Sequence, residues 1–112
     1  MIRDISNTQH YQWGDACDGW HLVESETLSV IQEKMPSGTS ESAHYHHKAQ
    51  QFFYILKGIA TFDVGDQRHY VAAGKGFHIL PEVKHQISNL EEHDLEFIVV
   101  SEPKSHGDRI NT

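Results

Sequence analysis

Three histidines and one glutamine have the residue types and spacing of a metal site. His44 and His46 are separated by a single residue, and alternate side chains of an extended strand point to the same face, so one ion can reach both imidazoles. Gln51 follows five residues after His46 and opens an apolar run, while a third histidine lies in a later cluster rich in turn residues. The sequence therefore predicts a metal site formed by His44, His46, Gln51 and His85.

This set of side chains has a defined ligand chemistry. Three neutral imidazoles suit one divalent transition metal ion, and Zn, Fe, Mn, Ni, Co and Cu all remain open because affinity order alone does not identify the ion bound in a cell. The Gln51 side chain offers a carbonyl oxygen without a negative charge, so the ion keeps its full charge. We expect such a site to favour an anionic or enolate-forming ligand, which supplies the missing charge.

The segments around these residues are predicted to be strands. Short apolar runs alternate with Gly and Pro turns, and no stretch has a sustained helical period, which indicates an all-β sandwich or barrel. A turn at Lys48-Ala49 is expected to fold the strand that begins at Gln51 back beside the strand of the histidines. The predicted strands are Trp20–Val23, Thr27–Met35, Gln51–Lys57, Ile59–Val64, Gln67–Val71, Phe77–Leu80, His85–Asn89 and Leu95–Ser101.

Length and charge limit the classes of function. The chain has 112 residues, enough for one domain with a core, and its formal net charge of -7 disfavours binding to nucleic acid or to anionic membranes. Neither a membrane-spanning run nor a secretory signal is visible, so a cytoplasmic location is expected. A small-molecule substrate or ligand is the expected partner. The single cysteine, Cys17, forms no internal disulfide and is interpreted as a structural or incidental thiol.

Two clusters of residues together resemble the motifs of the cupin superfamily. The first cupin motif has a Gly, five residues, His-x-His, three or four residues, Glu, six residues and a Gly. Gly38, His44, His46 and Gly58 match it, with Gln51 in place of the usual Glu.

The second cupin motif has a Gly, five residues, Pro-x-Gly, two residues, His, three residues and Asn. Gly74, His85 and Asn89 match it, whereas Leu80 and Glu82 stand at the usual Pro and Gly. The resemblance implies a double-stranded β-helix, or jelly-roll barrel, that holds the metal inside and forms a homodimer. Within a single cupin domain of residues 1–112, we expect the motif-bearing barrel at 27–101, an N-terminal arm at 1–26 and a C-terminal tail at 102–112.

Several residues near the predicted site have two interpretations each. His78 and Glu96 are candidates for an acid or base if their strand faces line the cavity, and surface groups if they do not. Phe53 and Ile55 share the face of Gln51 and should line the interior, as pocket or as ordinary core. Trp20 and His21 are expected to cover the barrel mouth near the ligand, with the alternative that Trp20 is a packing anchor.

Two further stretches carry polar groups, at His47 and at His106 to Arg109. His47 is expected on the outer surface, because strand alternation turns it away from His46. The run from His106 to Arg109 either remains a solvated tail or folds over the mouth and places Arg109 near an anion.

Two classes of function fit these patterns. The first is a small metal-dependent enzyme, either a dioxygenase or an isomerase, lyase or cyclase that uses the ion as a Lewis acid on a small oxygen-rich or anionic molecule. The second is a non-catalytic cupin that binds or senses a small molecule. The absence of an attached DNA-binding or effector domain within the 112 residues favours the enzyme.

Overall fold

The computed structural model describes all 112 residues and contains eleven β-strands with no helix. The all-β double-stranded β-helix expected from the sequence is confirmed. The chain has no helix that is long and apolar enough to span a membrane. The strands are β1 (Gln9–Trp13), β2 (Cys17–Glu24), β3 (Ser29–Met35), β4 (His44–His46), β5 (Gln50–Lys57), β6 (Ile59–Val64), β7 (Gln67–Ala72), β8 (Gly76–Ile79), β9 (His85–Ser88), β10 (Leu95–Glu102) and β11 (Arg109–Asn111).

The strands form two antiparallel sheets that face each other. One sheet has six strands in the order β1-β2-β3-β10-β5-β8, and the other has five in the order β11-β4-β9-β6-β7. The order departs from the chain order because, after β3, the chain crosses to the other sheet at every connection except the one between β6 and β7. This crossing brings residues that are distant in sequence onto the two walls of one interior.

The interior follows from the two-residue period of the strands. In β10, Leu95, Phe97, Val99 and Ser101 are buried, whereas the residues between them are partly exposed on the outer face. Phe62, Ile87 and Met35 pack among them in a core of 12 buried residues that also includes the thiol of Cys17. The apolar core fills one end of the barrel, and the predicted metal site lies beyond it.

The expected hairpin between the strand of the histidines and the strand of Gln51 is wrong. β4 pairs with β9 and β11 in the five-stranded sheet, whereas β5 pairs with β10 and β8 in the six-stranded sheet. The three residues between β4 and β5 therefore cross between the sheets, and Ala49 is buried at the crossing with 2% of its surface exposed. The inner faces of β4 and β5 then meet across the interior.

Both ends of the chain belong to the sheets. β1 and β2 extend the six-stranded sheet beyond β3, and β11 pairs with β4, so that Arg109 lies opposite His46. The segments expected as an arm and a tail therefore contribute three strands, two before and one after the barrel of residues 27–101.

Candidate metal centre and its cavity

Three histidines converge from neighbouring strands of the five-stranded sheet. His44 and His46 lie on the inner face of β4, and His85 begins β9 directly opposite His44 in the strand register. All three side chains are buried, and one ligand nitrogen from each lies within 4.8 Å of those of the other two. This is the spacing of nitrogens that can bind a single ion.

Hydrogen bonds orient two of the rings for metal binding. The Nδ1–H of His44 donates to the carbonyl oxygen of Ser42 at 2.8 Å, and that of His85 donates to the carbonyl oxygen of Val83 at 2.9 Å. Each ring therefore keeps its Nε2 lone pair free to bind a metal ion, as in metal sites whose histidines are held by a backbone carbonyl. The Nε2 atom of His85 is buried and has no partner in the chain.

Gln51 approaches from the facing sheet. Its Nε2 donates a hydrogen bond to the Ser101 hydroxyl at 3.0 Å, and its Oε1 is buried without a partner. A buried amide oxygen without a donor is costly, and a cation removes that cost. The residues present therefore fit a divalent ion bound by three imidazole nitrogens and one amide oxygen.

Burial keeps these imidazoles neutral, which is the form that binds metal. Desolvation is the largest cause and lowers the pKa of His44 to about 3 and the pKa of His46 to about 4. Desolvation also lowers the pKa of His85, although its hydrogen bond to Val83 acts in the opposite direction. At neutral pH no proton has to leave before an ion binds.

A cavity of about 610 Å³ opens beside the histidines and reaches solvent. Its walls come from both sheets and from the C-terminal segment. The lining residues are Gln9, Tyr11, His21, Glu24, Ser29, Ile31, Glu33, Glu41, His44, His46, Gln51, Phe53, Val99, Ser101, Lys104, Ser105, His106, Gly107 and Arg109. The volume is that of a pocket for a small molecule.

Residues 31–101 match the family model of the cupin domain. This chain belongs to the cupin family. The match spans well over half of the 112 residues and includes all four predicted metal ligands.

Solved cupin structures share this fold at low sequence identity. KdgF from Halomonas sp. superposes with a TM-score of 0.85 at 15% identity, covering 96% of this chain and 98% of that one. A predicted oxalate decarboxylase from Thermotoga maritima superposes with a TM-score of 0.84 at 23% identity, covering 93% of this chain and 100% of that one. A sugar phosphate isomerase from Silicibacter pomeroyi superposes with a TM-score of 0.82 at 16% identity, covering 93% of this chain and 76% of that one. No curated protein matches the chain.

Three carboxyl groups that the sequence analysis did not single out line the cupin cavity, and one of them, Glu24, is exposed at the end of β2. Glu33 lies on the inner face of β3, and Glu41 lies in the loop before β4. Desolvation, followed by repulsion from Glu41, raises the pKa of Glu33 to about 8 despite the opposing charge of Arg109. Desolvation likewise raises the pKa of Glu41 to about 7. The sequence did hold one sign of this position, because Glu33 lies two residues from each of the apolar Ile31 and Met35 and must share their inward face.

The raised pKa of Glu33 predicts a pH-dependent stability. Its contribution is fully present below its usual pKa of 4.5 and is lost as pH rises toward 8, because the folded state holds the proton more tightly. The buried histidines act oppositely below pH 6.5, so the useful window is pH 6.5 to 8. Over this window, we expect the unfolding free energy of the metal-free wild type to fall by roughly 1–2 kcal/mol relative to Glu33→Gln. Urea denaturation of both proteins at pH 6.5 and pH 8 measures this change. If the difference in unfolding free energy between wild type and Glu33→Gln is the same at both pH values, the prediction is wrong.

Arg109 provides the cationic side of the cavity. Its Nε donates to Asn111 Oδ1 at 2.9 Å and its Nη2 to the carbonyl oxygen of Ser42 at 3.3 Å. The guanidinium lines the cavity and remains exposed to solvent. Of the two alternatives for the C-terminal run, the structure adopts the one in which it folds over the mouth.

The two residues considered as acid or base lie on outer faces. His78 is exposed on β8, where it pairs with Gln50 Oε1 at 2.8 Å. Glu96 faces outward from β10 with its carboxylate 3.8 Å from Lys57 Nζ. Strand parity is the reason, since Ile79 and Phe97 beside them point inward. Neither the His78 imidazole nor the Glu96 carboxylate lines the cavity, so we assign these two residues no catalytic role.

The three residues expected at the pocket are placed differently from one another. Phe53 lines the cavity, and Ile55 is fully buried in the apolar core behind it. Trp20 lies on the outer face of β2, where its ring packs against His10 at 5.2 Å between centroids, so it does not cover the mouth. His47 is exposed, as alternation predicts. Of the pair Trp20 and His21, only His21 lines the cavity.

Proposed function

We propose that this cupin is a small metal-dependent enzyme that acts on a small, oxygen-rich, anionic molecule. The observation that carries the proposal is the pair of buried, unpartnered atoms, His85 Nε2 and Gln51 Oε1, beside a solvent-connected cavity. His44, His46, His85 and Gln51 would hold one divalent transition metal ion. Such an ion would supply Lewis-acid polarisation of a ligand oxygen or, if it is redox-active, electron transfer.

The charges around the cavity support an anionic substrate. All four proposed ligands are neutral at pH 7, so nothing in the donor set offsets the charge of a divalent cation. The Arg109 guanidinium adds a second positive group that can bind a carboxylate in bidentate fashion. Two of the solved structures described above are named for oxalate and for a sugar phosphate, which are both small oxygen-rich anions.

Groups able to move protons favour catalysis over simple binding. Glu33 and Glu41 line the cavity, and their pKa values of about 8 and about 7 place both near neutral pH. A carboxyl group that titrates near the working pH is suited to general acid or base catalysis. A cupin that only binds or senses a ligand requires no such group. The homodimer implied by the cupin resemblance stays a prediction.

Substitutions of Gln51 test the charge argument. Gln51→Glu should bind zinc more tightly because it adds a negative ligand, and Gln51→Ala should bind it more weakly. We expect zinc-loaded wild type to bind pyruvate about ten-fold or more tightly than the neutral pyruvamide, and Gln51→Glu to reduce this preference. Elemental analysis and calorimetry measure both effects. Equal affinity of the wild type for pyruvate and pyruvamide would exclude the charge-based preference.

Turnover separates the enzyme from the binding protein. Protein loaded with zinc or manganese is incubated with pyruvate in D₂O, and hydrogen exchange at the methyl group is followed by NMR; iron-loaded protein is tested for oxygen consumption. Exchange without oxygen consumption supports Lewis-acid chemistry, and oxygen consumption supports a dioxygenase. Retention of metal and binding of pyruvate, without either reaction across a panel of 2-oxo and hydroxy acids, would favour the non-catalytic alternative.

A further inference from the structure

Glu33 lies in the cavity wall formed by β1, β2 and β3. In the strand register it lies between Gly19 of β2 and Phe97 of β10, and its side chain points to the inner face. Ile31 and Met35, two residues away on the same face, are apolar. Glu33 is therefore a carboxyl group set between apolar neighbours, whereas the other carboxyl group of this wall, Glu24, is exposed at the end of β2.

The fold does not use the Glu33 carboxyl group. None of the hydrogen bonds or ion pairs within the chain involves it, and no hydrogen bond contributes to its pKa. Glu41 differs, because its Oε1 accepts a hydrogen bond from the backbone N–H of Ile87 at 3.2 Å and so joins the loop before β4 to β9. The Glu33 carboxyl group is only partly buried and has no hydrogen-bond or ion-pair partner in the fold, so it is free to contact a ligand.

The neighbouring strand leaves space for a polar contact beside Glu33. Gly19 has no side chain, and a β-carbon there would lie 2.3 Å from the Tyr11 ring and 2.6 Å from its hydroxyl oxygen. The Tyr11 ring therefore covers Gly19 and brings a hydroxyl group to the same wall as Glu33. Across β10 the neighbour of Glu33 is the apolar Phe97, and the next polar side chain along this wall is His21, whose ring lies 4.9 Å from the Tyr11 ring.

We propose that Glu33 binds a hydroxyl group of the ligand, and that the ligand is a polyhydroxylated carboxylic acid whose carboxylate faces Arg109. The proposal rests on the proposed function for the metal and names the substrate class of the same cavity. A hydroxyl group both donates and accepts a hydrogen bond, as a protonated carboxyl group does, so the two form a reciprocal pair.

The protonation state of Glu33 supports this pairing. With a pKa of about 8, the carboxyl group keeps its proton at neutral pH and does not repel an anionic ligand. The ionisable groups coupled to its charge are Tyr11, Cys17, Glu41 and Arg109. Desolvation and the charge of Glu33 raise the pKa of Tyr11 far above this range, so the phenol stays neutral throughout. The affinity for the ligand should then decrease as pH rises and the Glu33 carboxyl group loses its proton.

Calorimetry with two probes of equal chain length tests the assignment. D-Gluconate carries hydroxyl groups and hexanoate does not, so zinc-loaded wild type should bind gluconate more tightly. Glu33→Leu should weaken gluconate binding about 10- to 100-fold and leave hexanoate binding unchanged or stronger. Glu33→Gln, whose amide still donates and accepts hydrogen bonds, should retain most of the affinity but lose its decrease with rising pH. Glu96→Gln, a carboxylate on the outer face of the adjacent strand, is the control and should behave as wild type.

The outcomes separate this inference from the proposed function. If Glu33→Leu keeps its full zinc content and binds gluconate as tightly as the wild type does, the role of Glu33 is overturned while the metal site stays intact. Failure of the wild type to bind gluconate also overturns it. Failure of the wild type to retain zinc instead removes the proposed function. If Glu33→Leu does not fold, Glu33→Gln still decides, because an unchanged pH profile in that variant contradicts the assignment.

Discussion

His46→Ala should lose high-affinity metal binding, whereas His47→Ala should retain it. The two residues are adjacent, but His46 is buried on the inner face of β4 and His47 is exposed outside it. Removing a ligand should cost roughly 100-fold or more in zinc affinity, because losing only a group that orients a ligand already costs about 10- to 100-fold. Dialysis against buffered zinc followed by elemental analysis measures the difference.

The same pair of variants gives a readout that does not depend on activity. A ligand that binds only the folded state at 1,000 times its dissociation constant stabilises that state by about 4 kcal/mol. For a domain of this size, zinc should raise the wild-type melting temperature on the order of 10–20 °C. His47→Ala should show the same increase and His46→Ala almost none. An equal increase in both variants would mean that zinc binds elsewhere.

Strand alternation explains which parts of the site could be predicted from sequence. His44 and His46 share a face because one residue separates them, and Phe53 shares the face of Gln51 for the same reason. Spacing within a strand does not specify the partner strand, however. The hairpin expected at Lys48-Ala49 is wrong because the chain crosses to the other sheet there, a choice made by the packing of two sheets.

The remainder of the cavity depends on contacts that are distant in sequence. Glu33 reads as a polar residue in a strand, and its environment appears only when β2, β10 and the loop of Glu41 surround it. Tyr11 reaches the wall because Gly19, on another strand, leaves space for its ring. His78 and Glu96 were open to both faces because a one-residue uncertainty in a strand boundary reverses the face that each residue occupies.

Asp108 fastens the C-terminal segment over the cavity mouth. Its carboxylate accepts hydrogen bonds from the backbone N–H groups of Lys48 and Ala49, both at 2.9 Å, and its own carbonyl oxygen accepts one from His47 at 3.4 Å. Desolvation opposes ionisation, but these backbone donors outweigh it, and the pKa of Asp108 is lowered. Because the folded-state pKa is lowered, the contribution is present at neutral pH and is lost only in acid.

Asp108→Ala should therefore release β11 and displace Arg109 from the cavity. The change leaves two backbone N–H groups without acceptors, and Ala49 is buried, so the cost should be roughly 2–4 kcal/mol. Amide exchange of Arg109–Asn111 should accelerate about 10- to 100-fold, and pyruvate affinity should fall while zinc content stays unchanged. Asp66→Ala, in the exposed turn between β6 and β7, is the control. Unchanged exchange and affinity in Asp108→Ala would show that the pairing of β11 with β4 alone holds Arg109 at the mouth.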